Sequence, residues 1–331
     1  MLQRALVMRE DLLGPNHPDL TLTLIRLADS FVATGNYVRA KPLLLRAVAI
    51  AEQHAKPDRF PADLCSALFS LAGLHRDLKE PARAQPMFKR VLALEEQFLG
   101  PDHVEVGATL SGLGLCLLDQ GKFKKAKPLL QRSLAIGERV YGPNHAHTAA
   151  AVGNLAVLYC AQGDYQRAQP LYERALAIKE QVHDPEHLKV GLALHNLAMC
   201  CAKLHQDARA KDLFYRALAI YDHPYDRGHT HPMTATVMKG LVVLAERAGH
   251  DDMAQGIKVQ VAIATAESLQ QQCGSCRAFL DAGRALRCSQ CQSAWYCNRV
   301  CQKAAWWEHK PRCHAVPVVA AAAAPASSVK K

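Results

Sequence analysis

Between Cys273 and Cys313 the sequence sets seven cysteines and one histidine in four close pairs: Cys273-x2-Cys276, Cys288-x2-Cys291, Cys297-x3-Cys301 and His309-x3-Cys313. Thiolates and imidazole at such spacings are tetrahedral donors, and eight of them suffice for two four-ligand zinc sites. With every position filled by protein, neither site has an opening for water, so the Zn2+ ions would be structural and not catalytic. A module this small cannot fold on apolar burial alone, whereas zinc contributes roughly 10–16 kcal/mol per site in small fingers. Spacing pairs the donors but leaves two partitions open, two consecutive sites or two interleaved ones. The chain's three tryptophans, Trp295, Trp306 and Trp307, lie in the same stretch.

The residues MLQRALVMRED lack the apolar core and cleavage site of a signal peptide, and no apolar run approaches the roughly 18 residues of a membrane span. The expectation is a cytoplasmic and/or nuclear protein with no membrane partner, in a reducing compartment where close cysteine pairs hold metal and do not form disulfides. The formal charge is +10. From residue 273 onward nine Lys/Arg stand against Asp281 and Glu308, giving 9 − 2 = +7, and the other 272 residues carry 31 − 28 = +3. Two zinc ions on seven thiolates add 4 − 7 = −3 to that end, so it is only mildly basic and does not compel a nucleic-acid partner. After Cys313 the segment AVPVVAAAAAPASSVKK is of low complexity and reads as disordered.

What must carry this module is a repeat. Junctions of one type recur at Gly14–Asp19, Gly100–Glu105, Gly142–His147, Asp184–Lys189 and Asp226–His231, the last four spaced by 42 residues. The 86 residues from Gly14 to Gly100 are two periods with two extra residues near Lys56–Pro61. A fixed period of this length marks a solenoid. Within each period the pattern is helix, turn, helix: Leu155, Ala156 and Tyr159 share one face, Gly163 breaks the helix, Asp164 can cap the next, and Ala168, Tyr172 and Ala175 share the second face. Small residues recur at the same phases as Ala28/Ala40/Ala47, Ala72/Ala84, Gly114/Ala126 and Ala198/Ala210/Ala217, where close helix crossings would reject a larger side chain. Prolines 42, 86, 128 and 170 share one phase of the second helix and suggest a built-in bend.

Small residues at these phases resemble the tetratricopeptide repeat. The period length, the AxPLxxRALAI-like second helices and Asn154-Leu-Ala-Val-Leu-Tyr159 are similar to its kinesin light chain type. The resemblance covers residues 1–272 and is strongest in repeats three to five. His75 and Val91 depart from it in repeat two, and Asp252 and Gly256 fall at the alanine and aromatic phases of repeat six. It implies an all-α, right-handed solenoid: an orphan second helix at 1–12, repeats near 20–58, 62–103, 104–145, 146–187 and 188–229, and a cap at 230–272. The phase of the opening residues suggests that upstream sequence is missing or that the lone helix is itself a cap. In the kinesin light chain type an asparagine of the first helix holds an extended peptide, and Asn154 and Asn196 match it, with Arg26, Ser70 and Gly112 in its place earlier.

The cysteine module, 273–313, is similar to the MYND zinc finger at all eight ligand positions, with Tyr296 before Cys297, Gln302 after Cys301, Trp306 before His309 and Lys310 after it. A tail, 314–331, follows. The resemblance implies interleaved ligation: Cys273, Cys276, Cys297 and Cys301 on one zinc, Cys288, Cys291, His309 and Cys313 on the other. It also implies a shallow groove for short proline-containing peptides, lined by Gln302 and Trp306, although Trp306 could equally be the module's apolar plug. His17, His103, His145, His187 and His229, one per junction, are too far apart to share a metal and read as helix caps or loop packing. Cys65, Cys116, Cys160, Cys200 and Cys201 lie on apolar faces and read as small buried hydrophobes. The cysteine module lacks the Cys-x-His of a RING finger, and no SET-type methyltransferase signature, phosphate loop or Ser/His/Asp set stands out. The expectation is a non-catalytic scaffold for protein partners, with no small-molecule substrate. The alternatives are a chromatin or nucleic-acid factor, or a relative of the SET-type methyltransferases lacking the catalytic domain.

Overall fold

Helix pairs form because each apolar stripe is interrupted at a fixed place by a residue that can turn left-handed. At that turn Gly35, Gly121, Gly163 and Gly249 take φ of 70, 71, 79 and 72°, and Lys79 and His205 take 60 and 58°. The next amide then reaches back five residues, as in Asn36 N–H to Phe31 O at 2.7 Å, Asp164 to Tyr159 at 2.9 Å and His250 to Ala245 at 2.9 Å. This closure satisfies carbonyls the first helix would leave open. Lys79 and His205 adopt the conformation without glycine's freedom.

The computed structural model describes residues 2–33, 35–221, 232–270, 286–287 and 295–296. It falls into two compact units, Met1–Leu269 and Gln270–Lys331, each taken by itself. Among the described residues the first unit is all-α, with thirteen helices packed pairwise as a solenoid. The first helices of the pairs are α2 (Leu20–Ala33), α4 (Ala62–Asp77), α6 (Val104–Asp119), α8 (Ala146–Ala161), α10 (Leu188–Lys203) and α12 (Pro232–Arg247). Their partners are α3 (Tyr37–His54), α5 (Pro81–Leu99), α7 (Phe123–Tyr141), α9 (Tyr165–Val182), α11 (Asp207–Tyr221) and α13 (Asp251–Gln270). Ahead of them stands α1 (Leu2–Leu13), packed on α2.

The crossings are as tight as the small residues anticipate. Ala28, Ala40, Ala72, Ala84, Ala126, Ala156, Ala168, Ala198 and Ala210 are fully buried. At Gly114 even a methyl group would sit 2.6 Å from Leu130 Cδ2. Two glycines have a second purpose. A Cβ on Gly112 would lie 2.6 Å from Phe88 Cε1, and one on Gly240 would lie 2.3 Å from Phe214 Cζ. Phe88 and Phe214, both fully buried, fill the next repeat where a side chain would otherwise stand. Gly112 occupies the asparagine phase of Asn154, so the asparagine is missing there because Phe88 has taken its space.

Long side chains lock the second helices to one another. Arg90 meets Glu52 at 2.5 Å, Arg132 meets Glu96 at 2.6 Å, and Arg174 meets Glu138 and Arg216 meets Glu180 at 2.7 Å each. Arg46 makes the same pair with Glu10 of α1. Arg46, Arg132 and Arg174 also donate to the proline carbonyls of the preceding junction, at Pro15, Pro101 and Pro143. The Glu10–Arg46 pair makes α1 the second helix of a repeat in its contacts as well as its sequence.

The sixth pair corrects one expectation. Its turn glycine, Gly249, follows His205 by 44 residues, not 42. The alanine phase therefore falls on Ala254, which is 1% exposed, and not on Asp252. The aromatic phase falls on Lys258, which pairs with Glu246 at 2.6 Å. Beyond the end of α13, the described residues of the second unit form two short strands, β1 (Leu286–Arg287) and β2 (Trp295–Tyr296), antiparallel with Leu286 opposite Tyr296 and Arg287 opposite Trp295. They end immediately before Cys288 and Cys297 in sequence.

Restoring the asparagine as Gly112→Asn is expected to destabilise the first unit by about 1–3 kcal/mol through overpacking against Phe88. Adding Phe88→Leu, the type found one repeat on at Leu130, should recover part of that loss. Urea denaturation of the two single variants and the double variant gives the coupling. Strict additivity would show that the two positions do not compete for space.

Candidate functional site

First helices touch across repeats, α2 to α4, α4 to α6, α6 to α8 and α10 to α12, whereas second helices are joined through the Arg–Glu pairs. The first helices thus line the inner side of the solenoid, and cavities open between neighbours there. One of about 340 Å3 lies between α4 and α6, and the next, of about 260 Å3, lies between α6 and α8.

Asn154 lines the second cavity with Ser111, Gly107 and His147. Its Nδ2 donates to Ser111 Oγ at 3.3 Å, Ser111 and Ser133 share a hydrogen bond of 2.8 Å, and Ser133 Oγ donates to Gly107 O at 2.6 Å. This chain ends on the α6 backbone and fixes the amide's orientation. Asn154 keeps its second N–H and its carbonyl oxygen uncommitted among the described residues. Asn196, one period on, is half-buried, and its side chain makes no hydrogen bond among the described residues. Ser70, at the same phase, lines the first cavity.

A residue the sequence reading passed over dominates that first cavity. Glu95, on α5, is 4% exposed. Its Oε2 and the Thr109 hydroxyl are both buried, and neither completes a hydrogen bond. Burial pushes the Glu95 carboxyl up to about 7. The Thr109 hydroxyl, near enough to act on the charge but not in bonding geometry, pulls the other way, and Glu105 and Glu96 push further up. The signal was available in the repeat itself. In the motif RALAIxE and its variants the x position reads Arg9, Ala51, Glu95, Gly137, Lys179 and Tyr221. Ala51, Glu95 and Gly137 each line a successive inter-repeat cavity. On α9, burial and then the charge of Lys189 depress the Lys179 pKa.

The junction histidines are caps. Nδ1 of His103, His145 and His187 accepts from the backbone N–H of Glu105, His147 and Lys189 at 3.3, 3.2 and 3.0 Å, and His17 accepts from Asp19 at 3.3 Å. His229 lies outside the described residues. Cys65, Cys116, Cys200 and Cys201 are buried free thiols and Cys160 is partly buried. Burial lifts the Cys65 thiol to about 12, which keeps it unreactive. No group of three or more His, Cys, Asp or Glu among the described residues could hold a metal ion. The eight expected zinc ligands, Gln302, Trp306 and the Ala-rich tail lie outside the described residues. The donor set itself, seven cysteines and a histidine in close pairs, fits two zinc ions. No helix of the described residues is long and apolar enough to cross a membrane.

Known proteins resemble the chain in both units. Tetratricopeptide repeat profiles match residues 63–139, 106–181 and 147–223, and another matches 1–19. A MYND finger profile matches 271–313. No curated protein matches the chain. Among solved structures, BtubC (BKLC) from P. vanneervenii is 25% identical with a TM-score of 0.51, over 61% of this chain and 80% of that one. A single-residue variant of a Podosopora anserina chain, described as a kinesin light chain with nearly identical TPR-like repeats, is 24% identical with a TM-score of 0.50, over 62% and 95%. The apo form of RapI shares the fold at 14% identity with a TM-score of 0.59, over 80% and 90%.

Because Glu95 keeps its proton to about pH 7 when folded and loses it near 4.5 when unfolded, its contribution to stability falls as pH rises between those values. Glu95→Gln should therefore match the parent near pH 4 and exceed it above pH 7 by on the order of 2 kcal/mol. Urea midpoints across that range check this, and a difference that does not vary with pH would contradict it.

Proposed function

The chain is a tetratricopeptide repeat protein with a C-terminal MYND finger, and on that premise we propose that it is a non-catalytic scaffold gripping extended peptides in the solenoid and a second peptide at the finger. The observation that carries this reading is Asn154, an amide oriented through Ser111 and Ser133 on the wall of an inter-repeat cavity with hydrogen-bonding capacity to spare. Such an amide binds backbone and leaves recognition of side chains to the cavities around it. Asn196 extends the row by one period. Two weak sites on one chain raise avidity through effective concentration. Neither matched domain type is catalytic.

For the finger, a MYND module implies zinc. Cys273, Cys276, Cys297 and Cys301 would hold one ion and Cys288, Cys291, His309 and Cys313 the other, and each ion would serve to fold the module. Gln302 and Trp306 would line its peptide groove, with short proline-containing segments as ligands. A nucleic-acid role, the second reading, draws only on the basic residues around the finger, most of whose charge the thiolates offset.

Two measurements test the scheme. Capture of partners by the full chain is expected to change with Asn154→Ala/Asn196→Ala in one subset and with Trp306→Ala in another, while zinc content stays at two per chain. An unaltered partner set in both variants would refute both grooves. Cobalt(II) substitution tests the ligation. With interleaved sites, Cys288→Ala spares a tetrathiolate site and its ligand-field spectrum, whereas with consecutive sites it spares the site holding His309.

A further inference from the structure

Resting on the reading of the inner face as a peptide groove, we propose that the cavity between α4 and α6 is a pocket for a basic side chain, the arginine or lysine of a bound peptide, with Glu95 as its specificity-determining residue. The site is built. Glu95 is 4% exposed, lines the cavity of about 340 Å3, and has a buried carboxylate oxygen without a hydrogen-bond partner. Glu105, in the first turn of α6, supplies a second carboxylate to the cavity lining. The other walls include Phe60 and Phe69, whose rings suit the flat, weakly hydrated guanidinium or the stem of a lysine. Ser66 and Ser70 add hydroxyl acceptors. A buried carboxyl left without a partner is costly, and an incoming cation is the partner it lacks.

The same two positions change sign along the solenoid. Floor and wall read Glu95 and Glu105 here, Gly137 and His147 at the next cavity, and the corresponding residues one period later are Lys179 and Lys189. The repeat framework is constant while these positions vary, as expected where specificity is written onto a repeated scaffold. A divalent metal is the weaker occupant, because beside its two carboxylates the pocket offers only the neutral thiol of Cys65, and no group of three or more His, Cys, Asp or Glu among the described residues could hold a metal ion. The charged and titratable groups around Glu95 are Glu96 on its own helix, Glu105 on α6, and Cys65 on α4, the last held as a neutral thiol. A cation favours the ionised carboxylate, so its binding expels the Glu95 proton and strengthens with pH through the range in which that group titrates.

The test is a positional peptide library with one position fixed as arginine, lysine, citrulline, glutamate or leucine, presented to the full chain. The parent should favour arginine or lysine over neutral, similarly shaped citrulline by about tenfold at one position, and more at about pH 8 than at about pH 5.5. Glu95→Gln should abolish that preference, and Glu105→Gln, whose exposed site tolerates the change, should weaken it. Asn154→Ala should lower binding of every pool while leaving the preference intact. If pools bind but no basic preference is found, or if Glu95→Gln retains it, this inference fails and the groove reading stands. If no pool binds, the groove reading itself fails. Glu95-dependent stabilisation by calcium chloride alone, without a basic preference, would overturn the assignment in favour of a metal.

Discussion

Close approach of helices at small residues is the constraint on which the solenoid depends. Where α6 crosses α7, Leu130 occupies the volume that any side chain at Gly114 would need, and alanines are buried without remainder at the equivalent crossings. A repeat unit of two helices cannot bury its apolar faces alone, so every pair leans on the next. The pairs must therefore stack at one fixed spacing, and each residue type at a crossing limits its counterpart one repeat later. Phe88 and Gly112 show this trade, as do Phe214 and Gly240. A larger knob on one second helix removes the side chain from the following first helix.

The Arg–Glu pairs between second helices act on the same spacing from outside. Each is a partly exposed ion pair worth about 0.2–1 kcal/mol at most, too little to hold the stack against poor packing. Their repetition has another consequence. Arg46, Arg132 and Arg174 each bind a glutamate of the preceding second helix and a proline carbonyl of the preceding junction, so one guanidinium ties helix to loop to helix. Register between repeats is thereby specified on the outer side while the alanines specify it within. The inner side is left free of structural duty, which is where cavities can open and residues can vary.

Much of this was legible in the residues alone. The alternation of helices, the turn glycines and the small-residue phases can be read because steric exclusion leaves few residue types at those positions. The capping role of the junction histidines was legible for the same reason. Counting failed where it assumed a constant period: the two additional residues before Gly249 moved the alanine phase from Asp252 to Ala254. Lys79 and His205, holding left-handed turns without glycine, could be found only by their place in the period. Asn154 could be placed on a helix face from its phase, but the serine relay that orients it joins residues 43 and 22 positions apart and has no sequence signature.

Glu95 was hidden for a different reason. A glutamate inside RVLALEEQF looks like one more solvated charge on an amphipathic helix, next to Glu96, which is one. Two adjacent helical positions differ by about 100° in direction, and that rotation separates an outer residue paired to Arg132 from an inner one facing an unfilled cavity. Only the comparison of repeats distinguishes them. Glu96 recurs as Glu10, Glu52, Glu138 and Glu180, with the shorter acid Asp222 one period later, as a structural pair demands, whereas the position of Glu95 changes in size and charge each time. In a repeat protein, then, constancy between copies marks what holds the stack together, and variation at a buried position marks where the stack is free to select what it binds.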